Sequence, residues 1–276
     1  MAIDQQFLGN RFLALHKREG PFVIPNPWDV GSARILAALG FEALATTSSG
    51  FAFTLGRVDG RVTREEIMAH VLTLSSATDL PLSVDLENCF SDDPAEAAET
   101  IRMAADMGAV GGSIEDWSGP DQDIIYSLHH ATERVEAAVE VANSLGFPFT
   151  LTARAENLIR NRPDLDDTIE RLQMYEKAGA DVLYAPGLKS AEEVSLVCSA
   201  LTKPVNVLAN PGLNVAKIDA AGGKRISLGG ALARTAIDAF CNAVGTIKHD
   251  GSFGVFSGLI DFGRIGTLLG DGGQNK

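Results

Sequence analysis

The chain has 276 residues, 45% hydrophobic and 21% charged, with a formal net charge of −13 at pH 7. That is ordinary globular composition, long enough for one large α/β barrel or two small domains, and an acidic chain without a Lys/Arg cluster is a poor nucleic-acid binder. Cys89, Cys198 and Cys241 show no CxxC spacing, Met1 to Arg11 has no apolar signal segment, and no apolar run is long enough to span a membrane, so a cytoplasmic enzyme with free thiols is expected.

Helix-like and strand-like segments alternate along the chain. Phe7 to Arg18 reads as an opening helix, and Phe22 to Pro25 as a first strand. Asp29 caps a helix from Val30 to Leu39, closed by Gly40. Phe41 to Thr47 is the second strand. Thr63 and Glu66 form a capping box for a helix through Ser76. Pro81 to Leu86 is the third strand, and Asp93 with Pro94 opens a helix to Met107. Ala109 to Glu115 is the fourth strand. A long linker runs to about Tyr126, and a helix follows to Leu145. Strands at Phe147–Ala153, Ala180–Ala185, Pro204–Leu208 and Arg225–Leu228 alternate with helices at Asp164–Ala178, Ser190–Leu201, Asn214–Ala221 and Ala231–Val244. The stretch from Gly251 to Gly270 is rich in glycine yet carries nine large apolar residues. Eight strand–helix units predict a single (β/α)₈ barrel over residues 1–276, with about 245–276 as an extension. A doubly wound sheet is the alternative, but no Gly-x-Gly-x-x-Gly follows the first strand.

In a barrel the active site lies at the C-terminal ends of the strands. Asp85 and Glu87 stand two residues apart at one such end and should face the same side. Like charges so placed need a cation or a proton between them. With Glu115 from the next strand they form a hard oxygen set suited to Mg²⁺ or Mn²⁺. The same pattern is compatible with solvated strand termini. Other strand-end candidates are Trp28, the cradle Thr47, Ser48 and Ser49, then Asp59, Arg154, Tyr184 and Asn206. Arg154 offers a planar fork for a carboxylate or phosphonate, or alternatively a salt bridge to Glu156.

Together these residues resemble the isocitrate lyase/phosphoenolpyruvate mutase superfamily. Asn26-Pro27-Trp28-Asp29-Val30-Gly31-Ser32-Ala33 looks like its opening motif. Thr47-Ser48-Ser49-Gly50, with Leu55-Gly56-Arg57-Val58-Asp59, is similar to the loop that binds substrate carboxylate and carries a family aspartate. Asp85-Leu86-Glu87 stands where the family has an Asp-x-Asp metal pair. Ile114-Glu115-Asp116 resembles the next metal carboxylate, and Thr152-Ala153-Arg154 the Ala-Arg of strand five. The resemblance implies Mg²⁺, a small anionic 2-oxo acid substrate, an enolate intermediate, and a homodimer or homotetramer with exchanged C-terminal helices. It also implies catalytic roles for Asp59, Glu115 and Arg154.

The departures shape the expected reaction. The family's carbon–carbon lyases carry Lys-Lys-Cys-Gly-His after the fourth strand; here the segment is Trp117-Ser118-Gly119-Pro120-Asp121-Gln122-Asp123. The mutase-type Glu-Asp-Lys with its following Lys-Thr-Asn is also missing. True isocitrate lyase activity is therefore not expected. An oxaloacetate-type decarboxylase, another 2-oxo acid lyase, or a hydrolase of an acyl or phosphono pyruvate fits what remains. Cys89 is either a stand-in acid or a small buried hydrophobe. Two rivals stay open: a non-catalytic 2-oxo acid binding protein, and a phosphate-binding aldolase barrel using Ser227-Leu228-Gly229-Gly230-Ala231. The aldolase would need a desolvated Lys among Lys177, Lys189, Lys203, Lys217 and Lys224.

Overall fold

The computed structural model describes residues 4–270. Eight parallel strands form one sheet, in the order β1-β8-β7-β6-β5-β4-β3-β2. They are β1 (Phe22–Ile24), β2 (Leu44–Ala45), β3 (Leu82–Val84), β4 (Gly111–Glu115), β5 (Thr150–Arg154), β6 (Val182–Tyr184), β7 (Val205–Leu208) and β8 (Arg225–Ser227). The seam between β1 and β2 is bridged by the Ala45 amide donating to Pro25 O at 3.1 Å and the Asn26 side-chain amide donating to Thr46 O at 2.9 Å. The sheet is thereby almost closed into a barrel. Around it run α1 (Gln5–Lys17), α2 (Val30–Ala38), α3 (Ser48–Thr54), α4 (Arg64–Ser75), α5 (Pro94–Asp106), α6 (Leu128–Ser144), α7 (Leu165–Lys177), α8 (Ala191–Ser199), α9 (Val215–Ala220), α10 (Ala231–Asp250) and α11 (Phe262–Leu269). Among the described residues no helix is long and apolar enough to cross a membrane.

The apolar faces of the surrounding helices pack on the outer faces of the strands in one large core, with Leu44, Val84, Ile114, Leu151, Leu183 and Ile226 among its members. A smaller cluster closes the N-terminal end of the barrel. There Leu8, Phe12 and Leu15 of α1 meet Phe22, Ile24, Ala43 and Val110. Gly111 makes this plug possible: a side-chain carbon there would lie 2.8 Å from the Phe12 ring and 3.0 Å from Thr150 O. With the N-terminal end plugged, the other end is left for chemistry.

The predicted caps are present. Asp29 and Ser32 form a reciprocal capping box on α2, Thr63 and Glu66 another on α4, and Asp93 caps α5 with Pro94 in its first turn. Other expectations need correction. The Thr47-Ser48-Ser49 cradle opens a helix that was not expected: Thr47 accepts a hydrogen bond from the Gly50 amide and so caps α3. The second strand shrinks from Phe41–Thr47 to Leu44–Ala45, since the barrel pairs only the stretch opposite Leu82 and Ser83. Helix α10 runs past Val244 to Asp250 and stops at Gly251, whose φ of 64° suits glycine. The glycine-rich tail folds back as α11, which packs against α2 of the same chain.

Candidate active site

At the C-terminal mouth, β3, β4 and β5 deliver charged groups to one point. Arg154, the last residue of β5, places Nη1 2.8 Å from Asp85 Oδ1 and Nη2 3.1 Å from Glu115 Oε2. The same Nη2 lies 2.7 Å from Glu156 Oε1. Register explains the meeting: Glu115 and Arg154 are Cα partners across β4 and β5, and Arg154 pairs with Tyr184 on β6. The guanidinium also sits over the Tyr184 ring, 5.1 Å from its centroid. Burial would lower the Arg154 pKa, but Glu156, Glu115 and Asp85 outweigh it and hold the guanidinium firmly charged. Burial, and then the neighbouring Glu156, push Glu115 well above the usual carboxylate range.

The other oxygen of Asp85 accepts the Ser48 amide at 3.1 Å, and Ser48 Oγ donates to Asp59 Oδ1 at 2.9 Å. Thr46 Oγ1 accepts the Asp85 amide at 2.8 Å. The start of α3 is thus tied to the end of β3, and Asp59 is drawn from its loop to the mouth. Burial raises the Asp59 pKa, and the nearby Asp85 raises it further.

Glu87 departs from the expected geometry. Regular strand structure ends at Val84, and Glu87, Cys89 and Phe90 all have positive φ, at 51°, 58° and 60°. The alternation that would put Asp85 and Glu87 side by side therefore does not apply. Asp85 lines a cavity of about 220 Å³ that reaches down into the barrel. Glu87 instead lines an adjoining hollow with Glu115, Asp59, Trp117, Asp123 and Arg160. Arg154, Asp59 and Ser48 border both. Burial, then Asp85 and Asp59, push the Glu87 carboxyl up to about 8, and its Oε1 is buried without a hydrogen-bond partner.

No three His, Cys, Asp or Glu side chains among the described residues stand close enough together to hold a metal ion. The Arg154 fork lies between the carboxylates and neutralises two of the expected ligands, Asp85 and Glu115. The chemistry of the set still fits a hard cation, because every donor is a carboxylate and Glu87 keeps an orphaned buried oxygen.

The remaining candidates divide. Thr47, Ser48, Ser49, Tyr184 and Asn206 line the barrel cavity. Trp28 does not; it borders an apolar hollow with Gly50, Phe53, Ala233, Ile237 and Phe240, on the outer side of α3. Asp116, adjacent to Glu115 and so pointing the opposite way, bonds Arg171 Nη1 at 3.0 Å and Tyr175 Oη at 2.6 Å. It braces α7 rather than the mouth. Cys89 is fully buried, burial pushes its thiol up to about 12, and it belongs to the apolar core. It is the small hydrophobe of the two readings.

The aldolase alternative loses its two requirements. The amides of Leu228 and Gly229, which a phosphate would need, donate to Asn26 Oδ1 at 2.8 and 2.9 Å. No lysine lines either cavity at the mouth. Sequence reasoning also missed two cations. Arg160 stacks on Trp117, 3.3 Å from the ring centroid, beside Glu87. Arg225 lies in the wall of the barrel cavity. It stands at the beginning of β8, away from the strand ends where barrel chemistry is expected.

The sequence profile of the phosphoenolpyruvate phosphomutase family matches residues 12–248. The chain belongs to that family, within the isocitrate lyase/phosphoenolpyruvate mutase superfamily. A Burkholderia cenocepacia protein with only a provisional lyase/mutase assignment shares 50% identity and superimposes with a TM-score of 0.92, covering 95% of each chain. An uncharacterized Mycobacterium tuberculosis protein is 34% identical over 79% of this chain and 81% of its own. An oxaloacetate decarboxylase of Rhodopseudomonas palustris is 28% identical over 73% of this chain and 70% of its own. A 2-methylisocitrate lyase of Halalkalibacterium halodurans is 29% identical over 73% and 67%.

Proposed function

We propose that this member of the family is a metal-dependent enzyme that cleaves a bond next to the carbonyl of a small 2-oxo acid, in the manner of a lyase or an oxaloacetate-type decarboxylase. The observation that carries the reading is the Arg154 junction, where one guanidinium meets Asp85, Glu115 and Glu156 at the mouth of a cavity that hydroxyl and amide side chains line. The kinship with 2-methylisocitrate lyases and an oxaloacetate decarboxylase supports it.

Asp85, Glu87 and Glu115 would hold the Mg²⁺ or Mn²⁺ once drawn closer together than they stand here. Bound there, the ion would supply the positive charge that favours an enolate over a ketone. The protein's own groups do the rest. Arg154 orients an anionic oxygen of the substrate and offsets the surrounding carboxylates. Tyr184 and Asn206 shape the wall beneath it, and Thr47, Ser48 and Ser49 present hydroxyls along the opposite rim. Asp59, whose pKa is raised and whose carboxyl is held by Ser48, is the group placed to carry a proton to and from the reacting carbon. Asp59 would take a role that Cys89, sealed in the core, does not fill.

The test is pyruvate release from oxaloacetate, phosphonopyruvate and branched 2-alkylmalates, with Mg²⁺ or with excess chelator and with metal-only blanks subtracted. Turnover of one of them is expected, lost in chelator and reduced on the order of 100-fold in Asp59→Asn. Binding of pyruvate or oxalate without turnover of any of these compounds would leave a binding protein instead.

A further inference from the structure

Arg225 opens β8 and points into the barrel, where it is 5% exposed. Its Nε donates to Asn206 Oδ1 at 2.8 Å and its Nη2 to Thr152 Oγ1 at 2.9 Å. Nη1 is buried and has no partner. Every partner of this guanidinium is neutral, and no carboxylate pairs with it within the described residues. The charged and titratable groups that act on it are Arg154, Tyr184 and His16. Arg154 repels it, and His16 is held neutral by burial.

Arg154 and Arg171 are matched: Arg154 has three carboxylates, and Arg171 has Asp116 and Asp167. Arg134 also has only neutral partners, the carbonyls of Glu115, Asn88 and Ser91, and a buried Nε without one, but it borders neither cavity. Arg225 alone combines a missing counter-charge with a cavity in front of it. An unpaired buried cation is costly to a fold unless something compensates it. Burial accordingly pulls its pKa down to about 10. Asn206 and Thr152 fix the fork without neutralising it, and Asn206 is itself held by donating to Ser227 Oγ at 2.9 Å.

We propose that Arg225 is a second anion site, deep in the barrel, that receives the far carboxylate of a 2-oxo dicarboxylate whose reacting end lies at Arg154. This rests on the functional reading above and sharpens it: the preferred substrate carries two acidic groups, and the deep guanidinium sets that preference. Arg225 is a specificity residue, away from the bond that breaks.

Calorimetric titrations with pyruvate and the dicarboxylate inhibitor-type analogue 3,3-difluorooxaloacetate, in the presence of Mg²⁺, test it on the parent protein and on Arg225→Met. The parent should bind the dicarboxylate at least 10-fold more tightly than pyruvate. Arg225→Met should erase that preference and leave pyruvate affinity within about 2-fold. A folded Arg225→Met protein that keeps the preference, or loses both ligands alike, overturns the proposal. Should Arg225→Met not fold, Arg225→Lys keeps the charge without the fork, and its preference should fall at least 3-fold; an unchanged preference again overturns it. If the parent binds neither 2-oxo acid, the functional reading fails, and Arg225 is read separately with sulfate. A sulfate-dependent rise in melting temperature present in the parent and absent in Arg225→Met still supports a deep anion site, and equal responses reject it.

Discussion

Asp85 Oδ1 and Arg154 Nη1 are 2.8 Å apart, so a metal ligand and a substrate anchor expected to act separately form one ion pair. Arg154 therefore has a structural duty as well as a chemical one. Removing it would leave the essentially buried Glu115 without a counter-charge, and the buried Glu156 with only Arg160, 3.3 Å away. Breaking a buried pair from one side typically costs about 3–5 kcal/mol. Arg154→Met should lose stability of that order in urea denaturation, and adding Glu156→Gln should recover part of it. A loss below about 1 kcal/mol, the usual ceiling for a surface pair, would mean that the junction is hydrated and adds little to stability.

Cys89 should be silent. Its Sγ lies 3.7 Å from Ser113 O in the core, whereas Cys241 is exposed. A thiolate is the reactive form, and a thiol pushed up to about 12 supplies almost none at neutral pH. Alkylation of the native protein, mapped by mass spectrometry, should label Cys241 first and leave Cys89 unmodified until the chain unfolds. Cys89→Ala should keep kcat within about 3-fold, since a catalytic acid is usually worth 100-fold or more. A drop of that larger size would return Cys89 to the mechanism.

The barrel was legible because its local rules agree. The caps at Asp29, Thr63 and Asp93 and the alternation of apolar runs each specify an element without reference to distant residues. The meeting of Asp85, Glu115 and Arg154 was legible for a related reason: strand ends in a parallel barrel converge; Asp59 reaches the same mouth from a loop, held by Ser48. What the sequence hid depends on three-dimensional detail. The left-handed turn at Glu87 breaks the two-residue alternation. Trp28 borders a hollow with Gly50 and Phe53 of α3, a helix not expected from the sequence. Arg225 is invisible to a search of strand ends, because its side chain reaches into the barrel from the first residue of β8.

The C-terminal region should make subunit contacts. Phe253, Leu259 and Phe262 are 68%, 66% and 91% exposed, and Phe240 on α10 is 68% exposed. Apolar surface of this kind, contiguous in sequence, usually marks an interface. Light scattering at micromolar concentration should give a multiple of the 29.2 kDa chain mass. Replacing Phe253, Leu259 and Phe262 together with Ser should shift the protein toward that mass. A parent protein already at the chain mass would refute the interface.

His16 should make the fold sensitive to mild acid. The ring packs edge-on against Phe12 and Phe22, with centroids 4.7 and 5.0 Å away, and its Nε2 is buried without a partner. Burial first, and Arg225 beside it, pull its pKa from 6.5 down to about 3. The unfolded chain then binds a proton that the folded chain refuses, so this contribution to stability is whole above pH 6.5 and shrinks as pH falls toward 3. At pH 5 the penalty is about 2 kcal/mol, from roughly 1.5 units at 1.36 kcal/mol each. His16→Leu removes the titrating group and keeps an apolar body of similar size. Relative to the parent, it should gain about 2 kcal/mol between pH 8 and pH 5, a melting shift on the order of 4–8 °C for a chain of this length. A stability difference between the two proteins that stays constant across this range would show that folded His16 takes up its proton normally, and would place it in contact with water rather than in the plug under the barrel.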